Sequence, residues 1–340
     1  MSNHGSFMQR RLVLTLSEQA ALGLSVLLAL VACVPSTNIQ PTSTAPGTAL
    51  ASTFTSTLTL DSKTPPPVTP KSNESGVPAF GHIYTIVMEN KEYADIVDSA
   101  NAPYLNSLIA QYGLATNYTG ITHPSEPNYF ALFSGSTQGA TSDGVYNLVG
   151  KNVADQIEAI GKTWRVFAEN APTNCFTGAS ARNGADGSGS YARKHNPAIS
   201  FTDISRSPER CANITDLTHF DPAAADYGLI IPNLCNDMHD CSVAVGDRFL
   251  KGIVPKILSS STWQSDSVLF ITWDEGTTSL RGGGHIPLLV ISNRVPKGFR
   301  SSVVHNHYSL LRTIEDAWGL ECLNQACAAN NLGEFFQGER

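Results

Sequence analysis

The sequence has few charged residues and lacks any run of lysine or arginine. Charged side chains make up 15% of the 340 residues, and the 22 Lys and Arg stand against 29 Asp and Glu, a net charge of −7. Without residues 1–77 the balance is 18 basic against 26 acidic side chains, or −8. A folded part this acidic repels polyphosphate backbones, which argues against nucleic acid as a partner.

Several diagnostic segments are also missing. The uncharged run Ala20–Ala32 is too short to span a bilayer comfortably. No G-x-S-x-G elbow occurs, which disfavours an α/β-hydrolase. No C-x-P-x-R or S-x-P-x-R stretch marks a sulfatase. The cysteine spacings do not match C-x-x-C pairs, so a zinc site is the weaker interpretation of the cysteines.

The amino terminus is similar to a lipoprotein export signal. Arg10 and Arg11 precede an apolar stretch that ends in Leu30-Val31-Ala32-Cys33, the pattern of a bacterial lipobox. Residues 1–32 are therefore predicted to be a signal peptide, and the thiol of Cys33 is predicted to carry the lipid. An ordinary signal peptide with an incidental cysteine is the alternative. We expect an extracytoplasmic protein, either a cell-membrane lipoprotein facing outward or a secreted protein.

A segment rich in threonine, serine and proline follows. Residues 34–77 hold 10 Thr, 7 Ser and 7 Pro, with almost no large apolar side chain to bury. Such a composition cannot offset the entropy of ordering the chain. We predict a lipid-anchor Cys and disordered stalk over residues 33–77, and a catalytic domain over residues 78–340.

Six cysteines follow Cys33, and an even number in an exported chain favours disulfides. Six cysteines allow 15 connectivities. Two pairs are close in sequence, Cys235–Cys241 and Cys322–Cys327, which leaves Cys175–Cys211 as the third.

From residue 80 onward, apolar runs alternate with helical patterns, without a repeat or a second linker. This order predicts one α/β domain with a parallel sheet covered on both faces. Strands are predicted at 82–88, 163–168, 227–232, 267–273 and 286–292, and helices at 102–112, 245–258 and 307–318. Gly113 is expected to cap the first of these helices.

Acidic residues follow two of the predicted strands. Glu89 and Asn90 come after the first strand, and Asp274 and Glu275 come after Ser267–Trp273. Ligands of such sheets lie beyond the carboxyl ends of the strands, so these oxygens are candidates for an oxygen-rich cation site. Taken singly, a strand-end acid is more commonly a helix cap or a solvated loop residue.

A serine between two prolines is the second focus. Ser125 lies between Pro124 and Pro127 in the segment Thr122–Tyr129. A serine at a helix start often serves only as an N-cap. To act as a nucleophile it needs a general base or a bound metal, and a helix N-terminus would also stabilise an anion there.

Two further segments carry histidines. The loop Pro232–Cys241 holds Asp237, His239 and Asp240, which are ligand or proton-donor candidates; a purely structural loop is an equal alternative. Gly282-Gly283-Gly284-His285 precedes a strand, where glycines permit backbone to approach an anion closely. His305 and His307 open the last helix, which is weak evidence by itself.

In their order along the chain, these segments resemble the phosphoesterase family that joins bacterial acid phosphatases with phosphatidylcholine-cleaving phospholipases C, within the alkaline-phosphatase-like superfamily. The match runs from about Gly81 to Leu320. It is closest to short secreted acid phosphatases, including the phosphatidylinositol-3-phosphate phosphatase type. Its motifs are Met88-Glu89-Asn90, Thr122–Tyr129, Pro232–Asp240, Thr272–Gly276 and Gly284–Pro287.

The resemblance implies a three-layer αβα sandwich with a mostly parallel sheet, and it implies roles for single residues. Ser125 would attack phosphorus and form a phosphoserine. The implied metal ligands are Glu89, Asn90, Ser125, Asp274, Glu275 and Asp237. The implied catalytic histidines are His285 and His239, and the phosphate-binding candidates are Asn128, His307 and His123. One or two divalent ions, Ca²⁺, Mg²⁺ or Zn²⁺, are expected.

The predicted function is an extracytoplasmic, metal-dependent phosphomonoesterase of the acid phosphatase type, acting on a small phosphate monoester. A phospholipase C acting on phosphodiesters and a phosphoinositide phosphatase are the alternatives. A non-catalytic surface binding module is more remote, because a pure binder has no need of a nucleophile beside a metal.

Overall fold

A mixed sheet forms the centre of the fold. The computed structural model describes residues 75–182, 189–263 and 266–337. Within them, nine strands pair in the order β10-β2-β9-β8-β1-β7-β3-β6, with β11 also on β2, and β4 and β5 form a separate pair. The strands are β1 (His82–Met88), β2 (Gly113–Thr119), β3 (Trp164–Ala168), β4 (Ser180–Arg182), β5 (Ser190–Ala192), β6 (Ile214–Thr215), β7 (Tyr227–Ile231), β8 (Ser267–Trp273), β9 (His285–Ile291), β10 (Arg300–Ser301) and β11 (His305–Asn306).

Helices flank this sheet, and the longer ones pack in pairs, α2 with α7 and α3 with α8. The α-helices are α1 (Tyr93–Ile96), α2 (Pro103–Gln111), α3 (Glu126–Ser134), α4 (Val153–Ala159), α5 (Thr202–Ser205), α6 (Pro208–Cys211), α7 (Val243–Leu258) and α8 (His307–Trp318). The predicted class, an α/β sandwich with a mostly parallel sheet, is confirmed. Among the described residues, no helix combines the length and apolar character needed to cross a membrane.

The central strand β1 fixes where the polar residues meet. It pairs in parallel with β7 and with β8, and its pairing with β8 ends with Met88 opposite Trp273. Every residue of β8 is buried, as expected for a strand covered on both faces. Because β1 and β8 end level with each other, the residues that follow them emerge side by side at one edge of the sheet.

Two features of the sheet differ from the prediction. Strand β9 runs antiparallel to both β8 and β2, and strand direction is not encoded in a local apolar pattern. Gly113 does not cap a helix but begins β2. A Cβ atom at Gly113 would lie 2.6 Å from the ring of Phe335, so close packing requires glycine at this position.

The predicted signal peptide, Cys33 and most of the predicted stalk over 33–77 lie outside the described residues. The described fold begins at Ser75, whose carbonyl accepts a hydrogen bond of 3.0 Å from Asn331 Nδ2. Val77 is fully buried. Packed structure therefore starts slightly before residue 78.

Three disulfides join the same pairs that the sequence suggested. They are Cys175–Cys211, Cys235–Cys241 and Cys322–Cys327, with Cα atoms 5.1, 4.7 and 5.0 Å apart. The second closes the loop after β7, and the third lies just after α8. Each of these two disulfides closes a short segment outside the strands and α-helices.

A buried acid links α8 to the segment after it. Glu315 is fully buried, and its Oε1 accepts a hydrogen bond of 2.7 Å from the Leu323 N–H. Its Oε2 has no hydrogen-bond partner among the described residues. Burial raises the pKa of Glu315 from 4.5 to about 8.

We predict that Glu315→Gln flattens the dependence of stability on pH. Above about pH 4.5 the unfolded chain releases this proton while the folded protein keeps it, so the contribution of Glu315 to stability is full below 4.5 and is lost as pH rises toward 8. Glutamine mimics the protonated acid. Between pH 5 and 8, the free energies of unfolding of the wild type and of Glu315→Gln should diverge by up to a few kcal/mol. Urea unfolding at several pH values measures this.

The exposed Glu321, substituted by Gln, is the control and should leave the profile unchanged. Parallel profiles for the wild type and Glu315→Gln would contradict the prediction.

Candidate active site

The ends of β1 and β8 bring two acids together in the interior. Glu89 and Asp274 are both fully buried. The N–H of Asp274 donates to the Met88 carbonyl at 2.9 Å, and the Asn90 N–H donates to Asp274 Oδ1 at 3.3 Å. Backbone hydrogen bonds across the strand ends therefore hold Glu89, Asn90 and Asp274 in one cluster.

Ser125 lies at the N-cap position of α3 and faces this cluster. Its Oγ lies 3.1 Å from Glu89 Oε2 and 3.4 Å from Glu275 Oε1, and the hydroxyl can donate to either. Its side chain makes no capping hydrogen bond to the helix. The N-cap alternative therefore does not account for the position of this hydroxyl.

Asn128 braces the turn that carries Ser125. Its Oδ1 accepts hydrogen bonds from the N–H groups of Ile121 and Thr122, at 2.8 and 3.2 Å. Its Nδ2 donates to the Thr122 carbonyl at 2.8 Å and lies 3.3 Å from Glu275 Oε2. The amide thus shapes the loop before α3 and reaches the acids at the same time.

His195 is a site residue that the sequence analysis missed. It is buried, with Nε2 at 3.1 Å from Glu89 Oε1 and Nδ1 at 3.4 Å from Asp237 Oδ2. Its ring stacks on Tyr129, whose hydroxyl donates to Glu89 Oε1 at 2.5 Å. Burial, followed by the charge of Lys194, lowers the pKa of His195 well below its usual value. A histidine between Lys194 and the turn-forming Asn196-Pro197 was the available signal.

The loop after β7 brings a further acid to the cluster. Asp237 is buried, and its carbonyl accepts the Glu89 N–H at 2.8 Å. The N–H of His239 donates to Asp237 Oδ1 at 2.7 Å. The His239 ring lies 6.0 Å from that of His195, and its Nδ1 is 2.7 Å from Asp240 Oδ1. His239 is partly exposed, so it stands at the edge of the cluster.

Two of the other predicted histidines have different surroundings. His123 Nδ1 contacts Glu275 Oε2 at 3.0 Å, which places it at the site. His307 is buried, with Nε2 at 2.5 Å from the Asp274 carbonyl and Nδ1 at 3.0 Å from the Tyr118 hydroxyl. Both of its ring nitrogens are therefore occupied behind the acids, and burial lowers its pKa to about 4.

The glycine tract and His285 are placed differently from the expectation. A Cβ on Gly283 would lie 2.6 Å from the backbone of Gly120, so the tract is packed against this neighbouring loop. His285 Nε2 contacts the Thr116 carbonyl at 2.9 Å, and its ring stacks on Tyr93 at 4.5 Å. One ring nitrogen and one ring face of His285 are therefore already engaged.

The clustered acids strongly disfavour their own ionisation. Burial, then the charges of Asp274 and Asp237, raise the pKa of Glu89 well above its usual value. Burial, followed by the charge of Glu275, also raises the pKa of Asp274 well above its usual value. Burial raises the pKa of Asp237 to about 8 and that of Glu275 to about 7. The protein surroundings therefore do not supply enough positive charge to balance all four carboxyl groups in their ionised form.

The donor set of the cluster consists mainly of carboxyl and amide oxygens. Asp237 Oδ2 and Asp274 Oδ2 are buried and have no hydrogen-bond partner among the described residues. Carboxylate and amide oxygens are ligands that hard cations prefer. In the same residues, no three His, Cys, Asp or Glu side chains are already arranged to hold a metal. The chemistry of the site fits a cation, and the side chains would have to turn to enclose one.

The chain is similar in sequence to a known protein family and to several known proteins. The model of the Phosphoesterase family matches residues 87–321. The chain belongs to the Phosphoesterase family. It is 33% identical over 250 residues to the phosphatidylinositol-3-phosphatase of Mycobacterium tuberculosis, covering 72% of this chain and 79% of that protein. It is 30% identical over 278 residues to an acid phosphatase of Aspergillus fumigatus, covering 78% of this chain but only 61% of the fungal protein.

Solved structures confirm the fold of this Phosphoesterase family member. The lipoteichoic acid synthase LtaP of Listeria monocytogenes superposes with a TM-score of 0.53 at 10% identity, over 77% of each chain. An alkaline phosphatase superfamily protein of Vibrio parahaemolyticus gives a TM-score of 0.51 at 12% identity, over 75% of this chain and 72% of its own. The predicted alkaline-phosphatase-like architecture is therefore confirmed.

One carboxylate organises the loop beside the site. Glu92 Oε1 accepts the N–H groups of Thr277 and Thr278, both at 2.8 Å, and Oε2 accepts the His285 N–H at 3.1 Å. A Cβ at Gly276 would lie 2.3 Å from Glu92 Oε1, so glycine is required for this approach. The Thr278 carbonyl in turn contacts His123 Nε2 at 2.9 Å.

We predict that Glu92→Gln loosens segment 276–285. Glutamine has one oxygen in place of two, so at least one of the three N–H groups loses its acceptor. Hydrogen bonds to a charged acceptor contribute about 1.5–3 kcal/mol, so amide exchange in this segment should accelerate roughly 10-fold or more. Hydrogen-exchange mass spectrometry of the peptide measures it.

Exposed Glu209, substituted by Gln, is the control. Unchanged protection of segment 276–285 in Glu92→Gln would show that the carboxylate does not hold the loop.

Proposed function

We propose that the protein is a metal-dependent phosphomonoesterase of the acid phosphatase type, which works through a phosphoserine on Ser125. The observation that carries the proposal is the position of the Ser125 hydroxyl, free of any capping bond and within hydrogen-bond distance of Glu89 and Glu275. The names of the relatives from Aspergillus fumigatus and Mycobacterium tuberculosis support the same class of chemistry.

In this mechanism Ser125 Oγ attacks phosphorus and forms an O–P bond while the bond to the alcohol oxygen breaks in line. Its proton passes to Glu89, whose Oε2 lies 3.1 Å away. The leaving oxygen takes a proton from His239, which Asp240 orients and which is partly exposed. Water then attacks phosphorus and gives a proton to His239, while Glu89 returns its proton to Ser125 Oγ as the O–P bond to serine breaks, which releases inorganic phosphate and restores both groups.

Other residues position these groups. Tyr129 and His195 both contact Oε1, the other oxygen of the Glu89 carboxyl group, and so position it. Asn128 and His123 both contact Glu275, and in this proposal they remain the candidates for binding the phosphoryl oxygens. His307 supports the backbone at Asp274, and we assign it a positioning role.

A divalent cation, when bound, would neutralise phosphoryl oxygens and favour the ionised serine. The buried carboxyl oxygens without partners support such a site. Its ligands in this proposal are Glu89, Asn90, Ser125, Asp274 and Glu275, with Asp237. Oxygen-rich ligation favours Ca²⁺ or Mg²⁺, whereas the nearby imidazole groups are suitable ligands for Zn²⁺.

We place the enzyme outside the cytoplasm. Three disulfides are typical of exported proteins. The lipobox at Cys33 would anchor it to the membrane, but the acidic net charge opposes approach to an anionic bilayer. Small soluble monoesters are therefore the favoured substrates, ahead of phosphoinositides and choline-type phosphodiesters.

We predict that Ser125→Ala abolishes turnover of an aryl phosphate while the protein still folds. Loss of a nucleophile should lower kcat by about 10⁴-fold or more. Ser107→Ala, on the exposed side of α2, is the matched control and should retain activity. Release of the aryl alcohol measures turnover, and circular dichroism checks folding. Activity of Ser125→Ala near that of the wild type would exclude the covalent mechanism.

We also predict that chelation removes activity, because the acid cluster then lacks its counter-charge. Turnover should fall about 100-fold or more and return with one added cation. Chelator already saturated with metal is the control. As a second readout, the cation should raise the Tm of the wild type, and do so less in Asp274→Asn. Full turnover in protein shown by metal analysis to be metal-free would refute metal dependence.

A further inference from the structure

A lysine that the proposed mechanism leaves unused lies beside the acid cluster. Lys194 Nζ forms an ion pair of 2.8 Å with Asp143 Oδ2, and the two side chains are 24% and 33% exposed. Lys194 directly precedes His195, which contacts Glu89. The ammonium group is therefore partly exposed, and one carboxylate sets its direction.

Asp143 connects this lysine to the helix of Ser125. Its second oxygen, Oδ1, accepts the N–H of Glu126 at 3.0 Å, and Glu126 is the first residue of α3. The Gly144 N–H donates to Glu126 Oε2 at 2.6 Å. The carboxylate of Asp143 thus bridges the Lys194 ammonium and the residue next to Ser125.

The charge of Lys194 reaches the acids that face Ser125. Burial lowers the pKa of Lys194, but Asp143, with Glu89 and Asp274, raises it overall. Burial raises the pKa of Glu275 to about 7, and Lys194 opposes that rise. A positive charge thus acts on the acids beside Ser125.

We propose that Lys194, positioned by Asp143, binds the phosphoryl oxygens of the substrate and makes the site prefer doubly charged phosphate monoesters to singly charged diesters. This inference rests on the proposed phosphomonoesterase function. A monoester dianion carries two negative charges on the phosphoryl group that is transferred. In a diester, a second organic substituent is attached to one of those oxygens, so only one negative charge remains. An ammonium group close to that position therefore stabilises the monoester more.

A merely structural ion pair would give a different result. If Lys194 only ties the 143–146 loop to Arg193–His195, its loss would distort the site and slow both kinds of ester together. Charge recognition instead requires that the monoester suffer more. The ratio of the two specificity constants separates the roles, and overall activity does not.

The experiment compares Lys194→Met, Lys194→Arg and Asp143→Asn on an aryl phosphate and on a bis(aryl) phosphate. Charge-assisted contacts imply a loss of about 10- to 100-fold in kcat/KM for the monoester with Lys194→Met, and of no more than about 3-fold for the diester. Lys194→Arg should restore most of the preference. Asp143→Asn should raise KM for the monoester more than it lowers kcat.

Lys162→Met is the matched control. Lys162 Nζ forms a similar pair, 3.1 Å from Asp226 Oδ1, with both side chains 27% exposed. It is tied to the start of β3 through Asp226, so its removal should leave the ratio unchanged. Thermal unfolding verifies that each variant is folded.

If Lys194→Met lowers kcat/KM equally for both esters, or for neither, the ratio of the two specificity constants is unchanged. That result would overturn the inference and leave the phosphomonoesterase proposal intact. A wild type that cleaves neither ester would contradict that proposal instead. In that case, calorimetric binding of inorganic phosphate to the wild type and to Lys194→Met decides the role of the lysine. Weaker binding by about 10-fold or more supports it, and equal binding overturns it.

Discussion

The level ending of strands β1 and β8 is the constraint on which the site depends. Because Met88 lies opposite Trp273, the residues after them, Glu89 and Asp274, are forced into the same buried space. The Glu89 N–H is fixed in turn by the Asp237 carbonyl, so a third acid is drawn in from the end of β7. A sheet built for apolar packing thus concentrates negative charge at one edge, where desolvation makes each charge costly.

The surroundings of the cluster can be understood as responses to that cost. Tyr129 donates to Glu89, and the N-terminus of α3, with its favourable dipole, carries Ser125 toward the acids. Lys194 adds a positive charge from the solvent side. These contributions are small beside four clustered carboxyl groups, and our proposal therefore assigns the missing counter-charge to a divalent cation.

Much of this arrangement follows from local sequence, and the exceptions have physical causes. An apolar run that stops at an acid indicated both strand ends, and two prolines marked Ser125. The sequence did not indicate His195 as a site residue, because it lies in a short 3₁₀ segment, Arg193–His195, that is far in sequence from Glu89. Only tertiary packing brings the two together. The direction of β9 was equally hidden. His285 and His307 looked available in the sequence, yet a backbone carbonyl engages Nε2 of each ring.

The acids around the site divide into two kinds, and the difference lies in what their oxygens contact. Glu92 and Asp143 direct both oxygens at backbone N–H groups or at a lysine, so they shape loops and leave little capacity for a ligand. Asp237 and Asp274 each satisfy one oxygen on a backbone N–H and keep the other buried without a hydrogen bond. A buried carboxyl oxygen without a hydrogen bond is expensive, even where, as at Asp237 Oδ2, a histidine nitrogen lies 3.4 Å away. In our proposal, that asymmetry distinguishes the carboxylates that shape the site from those that bind a ligand within it.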